Sequence, residues 1–280
     1  MSLTFHKRAN SLICHYCGAS YPLTETCPAC KEPSIELVGY GSERVEDEVE
    51  SKFPKVRALR MDLDTTRNKN SYSELIEQFS EHKADILIGT NMVTKGLDFG
   101  KVRVAGVVNA DSIIHVPDFR GAERAFNILE QVAGRAGRTE PGKVMVQTYD
   151  TQHPVITHLC AHDYVGFYEH EIEERRAYAY PPFTRVIYIM LKHRDERELD
   201  DIARIYGDKL RELFGTRVSG PAKPAVAKVQ NLYIRQLMLK VELNASMKKV
   251  KEILRELYAH LRSRIPQMRA LVLYYDVDPS

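Results

Sequence analysis

At 280 residues, 44% hydrophobic and 28% charged, the chain is long enough for two or three cores and has the make-up of a globular protein that folds in water. No run of about 18 apolar residues occurs, and no apolar stretch follows the first basic residues. A helical membrane span and a signal peptide are therefore excluded, and the cytoplasm is the expected setting. The net charge of +2 says nothing about nucleic acid, but its distribution does: residues 217–269 hold 12 basic and 3 acidic side chains, whereas residues 36–150 are slightly acidic.

The first chemistry along the chain is in its cysteines. Cys14-His15-Tyr16-Cys17 and Cys27-Pro28-Ala29-Cys30 are two Cys-x-x-Cys knuckles, and Cys160 stands alone far downstream. Each knuckle can offer two thiolates to one tetrahedral zinc, and a reducing compartment keeps such thiols free of disulfides. Cys14, Cys17, Cys27 and Cys30 are thus the expected metal ligands. His15, between two of them, is a substitute ligand or an exposed bystander.

After Pro33, short apolar runs alternate with amphipathic segments, the pattern of a parallel α/β sheet. Strands are expected at Ile35 to Tyr40, Val56 to Met61, Asp85 to Thr90, Val102 to Asn109 and Lys143 to Thr148. Val45, Val49 and Phe53 share one helical face, and Ser71 with Glu74 reads as a capping box ahead of Leu75, Ile76 and Phe79. A further helix from about Phe119 turns Ala122, Phe126, Leu129 and Val132 or Ala133 inward.

Two stretches of this region carry function. The strand Asp85 to Thr90 opens into Gly89-Thr90-Asn91-Met92-Val93-Thr94-Lys95-Gly96-Leu97-Asp98-Phe99, at a strand carboxyl end where ligands of open α/β sheets bind. Thr90 and Thr94 offer hydroxyls, and the loop offers N–H groups, to a nucleic-acid phosphate. Lys95 is a phosphate contact or a solvated charge. Downstream, Gln131-Val132-Ala133-Gly134-Arg135-Ala136-Gly137-Arg138 puts Gln131, Arg135 and Arg138 on one face at helical spacing. Arginine's planar, permanently charged fork suits a transferred phosphate. By contrast, Gly137-Arg-Thr-Glu-Pro-Gly142-Lys143-Val144 imitates a P-loop and is rejected: it ends in Val where Ser or Thr must ligate Mg²⁺, and it leads from a helix into a strand.

Asp163 to Ala179 reads as a charged helix closed by Tyr180-Pro181-Pro182-Phe183. Beyond it the order is strand Thr184 to Lys192, then helix Glu196 to Phe214 on Leu199, Ile202, Tyr206, Leu210 and Leu213. Two strands around Val218 to Val229 and Leu232 to Leu243 follow. A helix capped by Ser246, burying Val250, Ile253, Leu257 and Leu261, and a last strand Ala270 to Val277 complete β-α-β-β-α-β, a small α+β sandwich. The basic excess here points to DNA contact through Arg235, Lys240, Lys248, Lys249 and Lys251, the alternative being charges that are merely solvated.

The stretch from Gly89 resembles motif V of superfamily 2 helicases, and the stretch from Gln131 resembles their motif VI. With the cysteine pairs ahead of them, the chain is similar almost end to end to the carboxy-terminal half of the bacterial replication-restart helicases, the PriA or primosomal protein N′ family. Asp111, Asp118, Arg120 and Arg124 also match that family's pattern, with no chemistry assigned. The resemblance implies a partial zinc-binding segment at 1–34, the second RecA-like motor domain at 35–150, a linker helix region at 151–183 and a DNA-contacting α+β domain at 184–280. It further implies that Gly96 and Asp98 face the nucleotide, and that Arg135 and Arg138, with Gln131, complete an ATP and Mg²⁺ site carried by a first motor domain absent from this chain. In that family four Cys-x-x-Cys pairs hold two zincs in an interleaved way. The chain then begins inside the zinc region, and its cysteines share one ion or stay partly unliganded. Implied partners are branched and single-stranded DNA, single-stranded-DNA-binding protein and primosome proteins. Implied activity is 3′-to-5′ unwinding at stalled forks. The competing expectation is a non-enzymatic zinc-containing nucleic-acid-binding module.

Overall fold

The computed structural model describes residues 4–6, 11–13, 20–22, 24, 26, 30–32, 41–66, 70–94, 99–137 and 141–279. At the amino-terminal end β1 (Thr4–His6), β2 (Ser11–Ile13) and β3 (Ser20–Pro22) form an antiparallel meander. Ile13 pairs with Ser20, so the two ends of the stretch that carries Cys14 and Cys17 are fixed on one ladder.

The chain divides into two compact units, residues 38–171 in one and residues 1–37 with 172–280 in the other. The first contains, in order, α1 (Ser42–Lys52), β4 (Ala58–Met61), α2 (Ser71–Ser80), β5 (Ile86–Gly89), a 3-10 turn (Asn91–Thr94), β6 (Val104–Val107), α3 (Asp111–Ile114), α4 (Gly121–Ala133), β7 (Lys143–Val146) and α5 (Pro154–Ala161); α6 (Tyr164–Ala177) begins in it. β4 pairs with β5 and β6 with β7, both parallel, in registers Met61↔Gly89 and Val107↔Val146. Parallel neighbours need a helical crossover. α2 supplies the first and α3 with α4 the second. Four of the five expected strands are therefore present in a mixed α/β unit with parallel sheets. The fifth, Ile35 to Tyr40, falls outside the described residues, and no ladder joins the two pairs among those described.

The core of this unit is made by α3, α4, α5 and α6. Phe126, Leu129, Val155 and Phe167 are at most 3% exposed, and the Phe126 and Phe167 rings stack at 4.2 Å. Each such side chain contributes about 1.5–3 kcal/mol by leaving water. Two local expectations are corrected and one element is new. Ser71 is the first helical residue of α2; Asn70 is the N-cap, and no side chain caps it. Phe53 lies past the end of α1 and is 55% exposed. The α5 turn, unforeseen, is started by Pro154 and by His153, whose Nδ1 accepts from the Val155 N–H.

The second unit continues with β8 (Thr184–His193), α7 (Glu196–Phe214), β9 (Val218–Ala222), β10 (Lys228–Val229), β11 (Leu232–Glu242), α8 (Met247–Arg264) and β12 (Val272–Val277). β8 lies between β11 and β12, β11 pairs on its other side with β9 and β10, and every ladder is antiparallel. That is a split β-α-β, in which β11 fills the place left between β8 and β9. Period-2 burial sends Ile187, Ile189 and Leu191 of β8 into one cluster with Leu199, Tyr206 and Leu210 of α7 and Leu254, Leu257 and Leu261 of α8. Asp195 caps α7 by accepting from the Glu198 N–H at 2.9 Å, and Ser246 caps α8 by accepting from the Lys249 N–H at 3.4 Å. Two core positions shift. Phe214 is buried where Leu213 is expected, leaving Leu213 54% exposed, and Leu254 is fully buried where Ile253 is half-buried.

Candidate nucleic-acid interface

β4 and β5 end side by side, and the loop after each begins at the same edge. A side chain at Gly89 would stand 2.4 Å from the Met61 carbonyl oxygen and 2.5 Å from Val93 Cγ1, so only glycine lets the strand end and the 3-10 turn close on one another. Thr90 follows, exposed, its carbonyl accepting from the Val93 N–H at 3.0 Å. Thr94 ends the 3-10 turn; its side chain, Lys95, Gly96 and Asp98 lie outside the described residues.

Beside this loop the end of β4 builds a structure that sequence reasoning missed. The Asp62 carboxylate accepts from the Ser42 hydroxyl and from the N–H groups of Asp64 and Thr65, and Arg60 Nη1 stands 3.4 Å away. Thr65 and Thr66 hydroxyls donate back to the Asp62 carbonyl. Burial pushes the Asp62 carboxyl up, but the Ser42 and Thr65 hydrogen bonds outweigh it, so the group sits below its usual range and is ionised. The readable signal was Asp62-Leu-Asp64-Thr65-Thr66 straight after a strand, a string rich in residues that cap their own backbone.

The second stretch is set by α4. The helix ends at Ala133, not beyond Arg138: Gly134 is its C-cap, Arg135 N–H donates to Val132 O at 3.0 Å in a tighter turn, and Gly137 takes φ +83° with its N–H on Val102 O at 3.1 Å. The expected single helical face is thus corrected. Gln131 is exposed on the last turn and Arg135 is half-buried in the turn after it; Arg138 lies outside the described residues. A Cβ at Gly142 would be 2.4 Å from the Gly137 nitrogen, so the two glycines of the rejected P-loop string touch backbone to backbone. The string then enters β7 at Lys143, as a P-loop does not. α4 packs on the 3-10 turn that follows β5.

Of the five basic residues expected to meet DNA, the structure separates two from three. Arg235 is 3% exposed, and its guanidinium donates to Asp200 Oδ1 and Glu196 Oε1 and to its own neighbour, Ile234 O. Lys240 Nζ donates to Tyr178 O at 2.6 Å and stands 3.6 Å from the centre of the Tyr180 ring, and burial holds its ammonium below the usual lysine range. Arg235 is thereby corrected from a phosphate contact to an internal tie, while half-buried Lys240 has one of its three donors taken up by a carbonyl. Lys248, Lys249 and Lys251 are exposed, the first two in the first turn of α8, where cations oppose the helix dipole at a cost of about 0.3–1 kcal/mol each. Cations placed where they disfavour the helix, beside its free N–H groups, suit an anion.

Of the zinc candidates, Cys30 is described and exposed, while Cys14, Cys17 and Cys27 lie outside the described residues. Among the described residues no group of three His, Cys, Asp or Glu side chains converges on a metal-sized site. No described helix is long and apolar enough to cross a membrane.

Parallel strand pairs with helical crossovers, a loop at the end of β5 and a helix packed on the turn that follows it define the class as a helicase-type motor domain, followed by a separate antiparallel α+β unit. Residues 33–140 match the family model described as the helicase conserved C-terminal domain, residues 1–22 that of the PriA DNA helicase Cys-rich region, and residues 176–280 that of the primosomal protein N C-terminal domain. The chain is 38% identical to the replication restart protein PriA of Bacillus subtilis (strain 168), over all of this chain and 34% of the relative. It is 36% identical to that of Treponema pallidum (strain Nichols), over 99% of this chain and 41% of the relative, and 46% identical to that of Chlamydia muridarum (strain MoPn / Nigg), over 67% and 25%. The chain belongs to the PriA family of replication restart proteins. It spans between a quarter and about two fifths of the length of these relatives.

Proposed function

We propose that the chain supplies the second motor domain, a zinc-binding segment and the terminal DNA-contacting domain of an ATP-dependent helicase that moves 3′ to 5′. The helicase would recognise stalled or repaired replication forks and start primosome assembly in the cytoplasm, with branched and single-stranded DNA as substrate and single-stranded-DNA-binding protein and primosome proteins as partners. The observation that supports this reading is the packing of α4, the helix that leads into the Arg135 turn, on the 3-10 turn that follows Thr90. A motor must couple nucleotide state to grip on the strand, and a helix packed on the loop it serves can do that directly.

In this reading ATP with Mg²⁺ is held mainly by a first motor domain and supplies the phosphoryl group. Arg135 and Arg138 neutralise charge developing on the transferred phosphate, Gln131 positions them, and Gly96 and Asp98 face the nucleotide. Thr90, Thr94 and Lys95 hold the DNA backbone. Zinc is assigned to Cys14, Cys17, Cys27 and Cys30, a reading supported by the match to the family's Cys-rich region, which covers the first knuckle. The chemistry of the donors fits: four soft thiolates in two closely spaced pairs.

The test uses a full-length PriA carrying this segment. Arg135→Ala and Arg138→Ala are each expected to lower DNA-stimulated ATP turnover by about 10³ to 10⁵, equivalent to about 4–7 kcal/mol, while DNA affinity and melting temperature hold. Lysine at either position should not rescue, because a point charge lacks the bidentate fork. Near-normal turnover in either alanine variant removes that arginine from the phosphate. A melting temperature that collapses along with activity makes the pair structural and favours a non-enzymatic nucleic-acid-binding module.

A further inference from the structure

The carboxyl ends of β6 and β7 frame a small cleft of about 80 Å³, lined by Val108, Asn109, Asp111, Gln147, Thr148 and Tyr149. Its floor is tied down. Gln147 N–H donates to Val107 O at 2.9 Å and Ala110 N–H to Gln147 O at 3.0 Å, which ties the two strand ends together beyond the ladder. Asp111 then accepts from the Thr148 hydroxyl at 2.9 Å and from the Tyr149 N–H at 3.1 Å, and the Asp150 N–H donates back to the Thr148 hydroxyl at 3.1 Å. The Tyr149 backbone is therefore held from both sides, yet its ring is 97% exposed, the most exposed large hydrophobic side chain among the described residues. A ring in water on a fixed backbone forgoes its burial energy but needs little further ordering to meet a flat partner.

The lining narrows the partner's chemistry. Gln147 offers a side-chain amide with no hydrogen bond among the described residues, and Asn109 keeps its NH₂ donors while its Oδ1 accepts from the Ser112 N–H. Val108 is the one aliphatic side chain of the lining and is itself 37% exposed, so an apolar anchor from another protein would find nothing to fill. No Lys or Arg lines the cleft, and the Asp111 carboxylate repels phosphate. A flat π-face beside amide donors and acceptors, without a cation, suits an unstacked nucleobase and not its backbone.

We propose that this cleft is a stacking site for one unpaired nucleobase of single-stranded DNA, with Tyr149 as the platform and the Asn109 and Gln147 amides beside the base edge. The site rests on the DNA-binding reading above, and it adds to that reading a contact independent of phosphate.

The test compares wild type, Tyr149→Ala and Tyr149→Phe for binding of a short oligo(dT) and of an abasic strand of equal length. One stacked base corresponds to roughly a 5- to 100-fold change in affinity. Tyr149→Ala is expected to weaken oligo(dT) by that factor, Tyr149→Phe to keep the wild-type affinity, and all three proteins to bind the abasic strand alike. The log-log salt slope should not move, because stacking releases no counterions. The chain contains no tryptophan, so Tyr149→Trp introduces a single indole. Its fluorescence should be quenched by oligo(dT) and not by the abasic strand. Wild-type affinity in Tyr149→Ala, or an unquenched indole, while salt-dependent binding persists overturns the stacking site and leaves the DNA reading in place. Failure of the wild-type chain to bind either strand overturns both.

Discussion

Arg235 shows how a single side chain changes role once its surroundings are known. In the sequence it is one of 12 basic residues between 217 and 269. In the fold, period-2 alternation along β11 sets it on the face of Leu237, Leu239 and Val241, all at most 3% exposed, and Glu196 with Asp200, one turn apart on α7, closes over it. The alternation was readable: an arginine in step with three inward aliphatic residues is an inward arginine. Its partners were not, because they lie 35 and 39 residues away in the chain. The guanidinium is the buried member of the cluster, at 4% side-chain exposure, whereas Glu196 and Asp200 remain 38% and 56% exposed. Removing both carboxylate charges (Glu196→Gln with Asp200→Asn) leaves the inward guanidinium without a counter-charge and should destabilise the fold. Arg235→Met, which removes the charge and keeps the stem, should cost less. Urea denaturation of the two variants checks the order. If Arg235→Met is the worse, packing of the guanidinium outweighs its charge.

At the scale of elements, the carboxy-terminal unit was the most legible. The 3.6-residue period on α7 and α8 and the period of two on β8 survive because each element buries one face on a single core. One error fell at an end, where Phe214 displaces Leu213 beside the Gly215 turn, and one inside α8, where Leu254 takes the place expected of Ile253. In the candidate site the end of α4 is harder to read for a related reason. By spacing alone Gly134 and Gly137 are gaps in a helical face, whereas in the fold Gly134 caps the helix and Gly137 turns left-handed. Basic charge was legible in number but not in placement: α8 puts its lysines outward, whereas Arg235 turns inward. Changing Lys248, Lys249 and Lys251 to Ala should therefore flatten the log-log salt slope of duplex binding by roughly 0.9 for each phosphate no longer neutralised, and weaken all sequences alike. The α8 helix itself should gain a few tenths of a kcal/mol, about the size of each relieved dipole conflict. An unchanged slope returns the three lysines to solvent. The zinc segment makes a simpler demand: if Cys14, Cys17, Cys27 and Cys30 share one ion, elemental analysis gives one zinc per chain, and Cys14→Ser lowers it. A chain that retains no zinc after purification contradicts the assignment.

For the whole molecule the question is whether 280 residues with helicase-type loops make a motor. Hydrolysis needs a loop that cradles the β- and γ-phosphates, a lysine within it and an acid that holds Mg²⁺. The one Gly-x-x-x-x-Gly-Lys string in the chain brings its two glycines backbone to backbone between α4 and β7, and it leads from a helix into a strand. Its next residue, Val144, has no hydroxyl for the metal. What remains is Arg135 in the turn after α4, a group that improves a site and does not create one. The pure chain is accordingly expected to show no DNA-stimulated ATP turnover above background, while still binding DNA. Adding the amino-terminal part of a PriA relative, inactive alone for lack of the arginines, should restore turnover in proportion to complex formed. Arg135→Ala in the chain should abolish that rescue without weakening the complex. Turnover by the chain alone, persisting after repurification, would mean a phosphate-binding loop that neither the sequence nor the fold discloses. Rescue undiminished by Arg135→Ala would sever the arginine turn from catalysis and leave the unit as a scaffold for DNA.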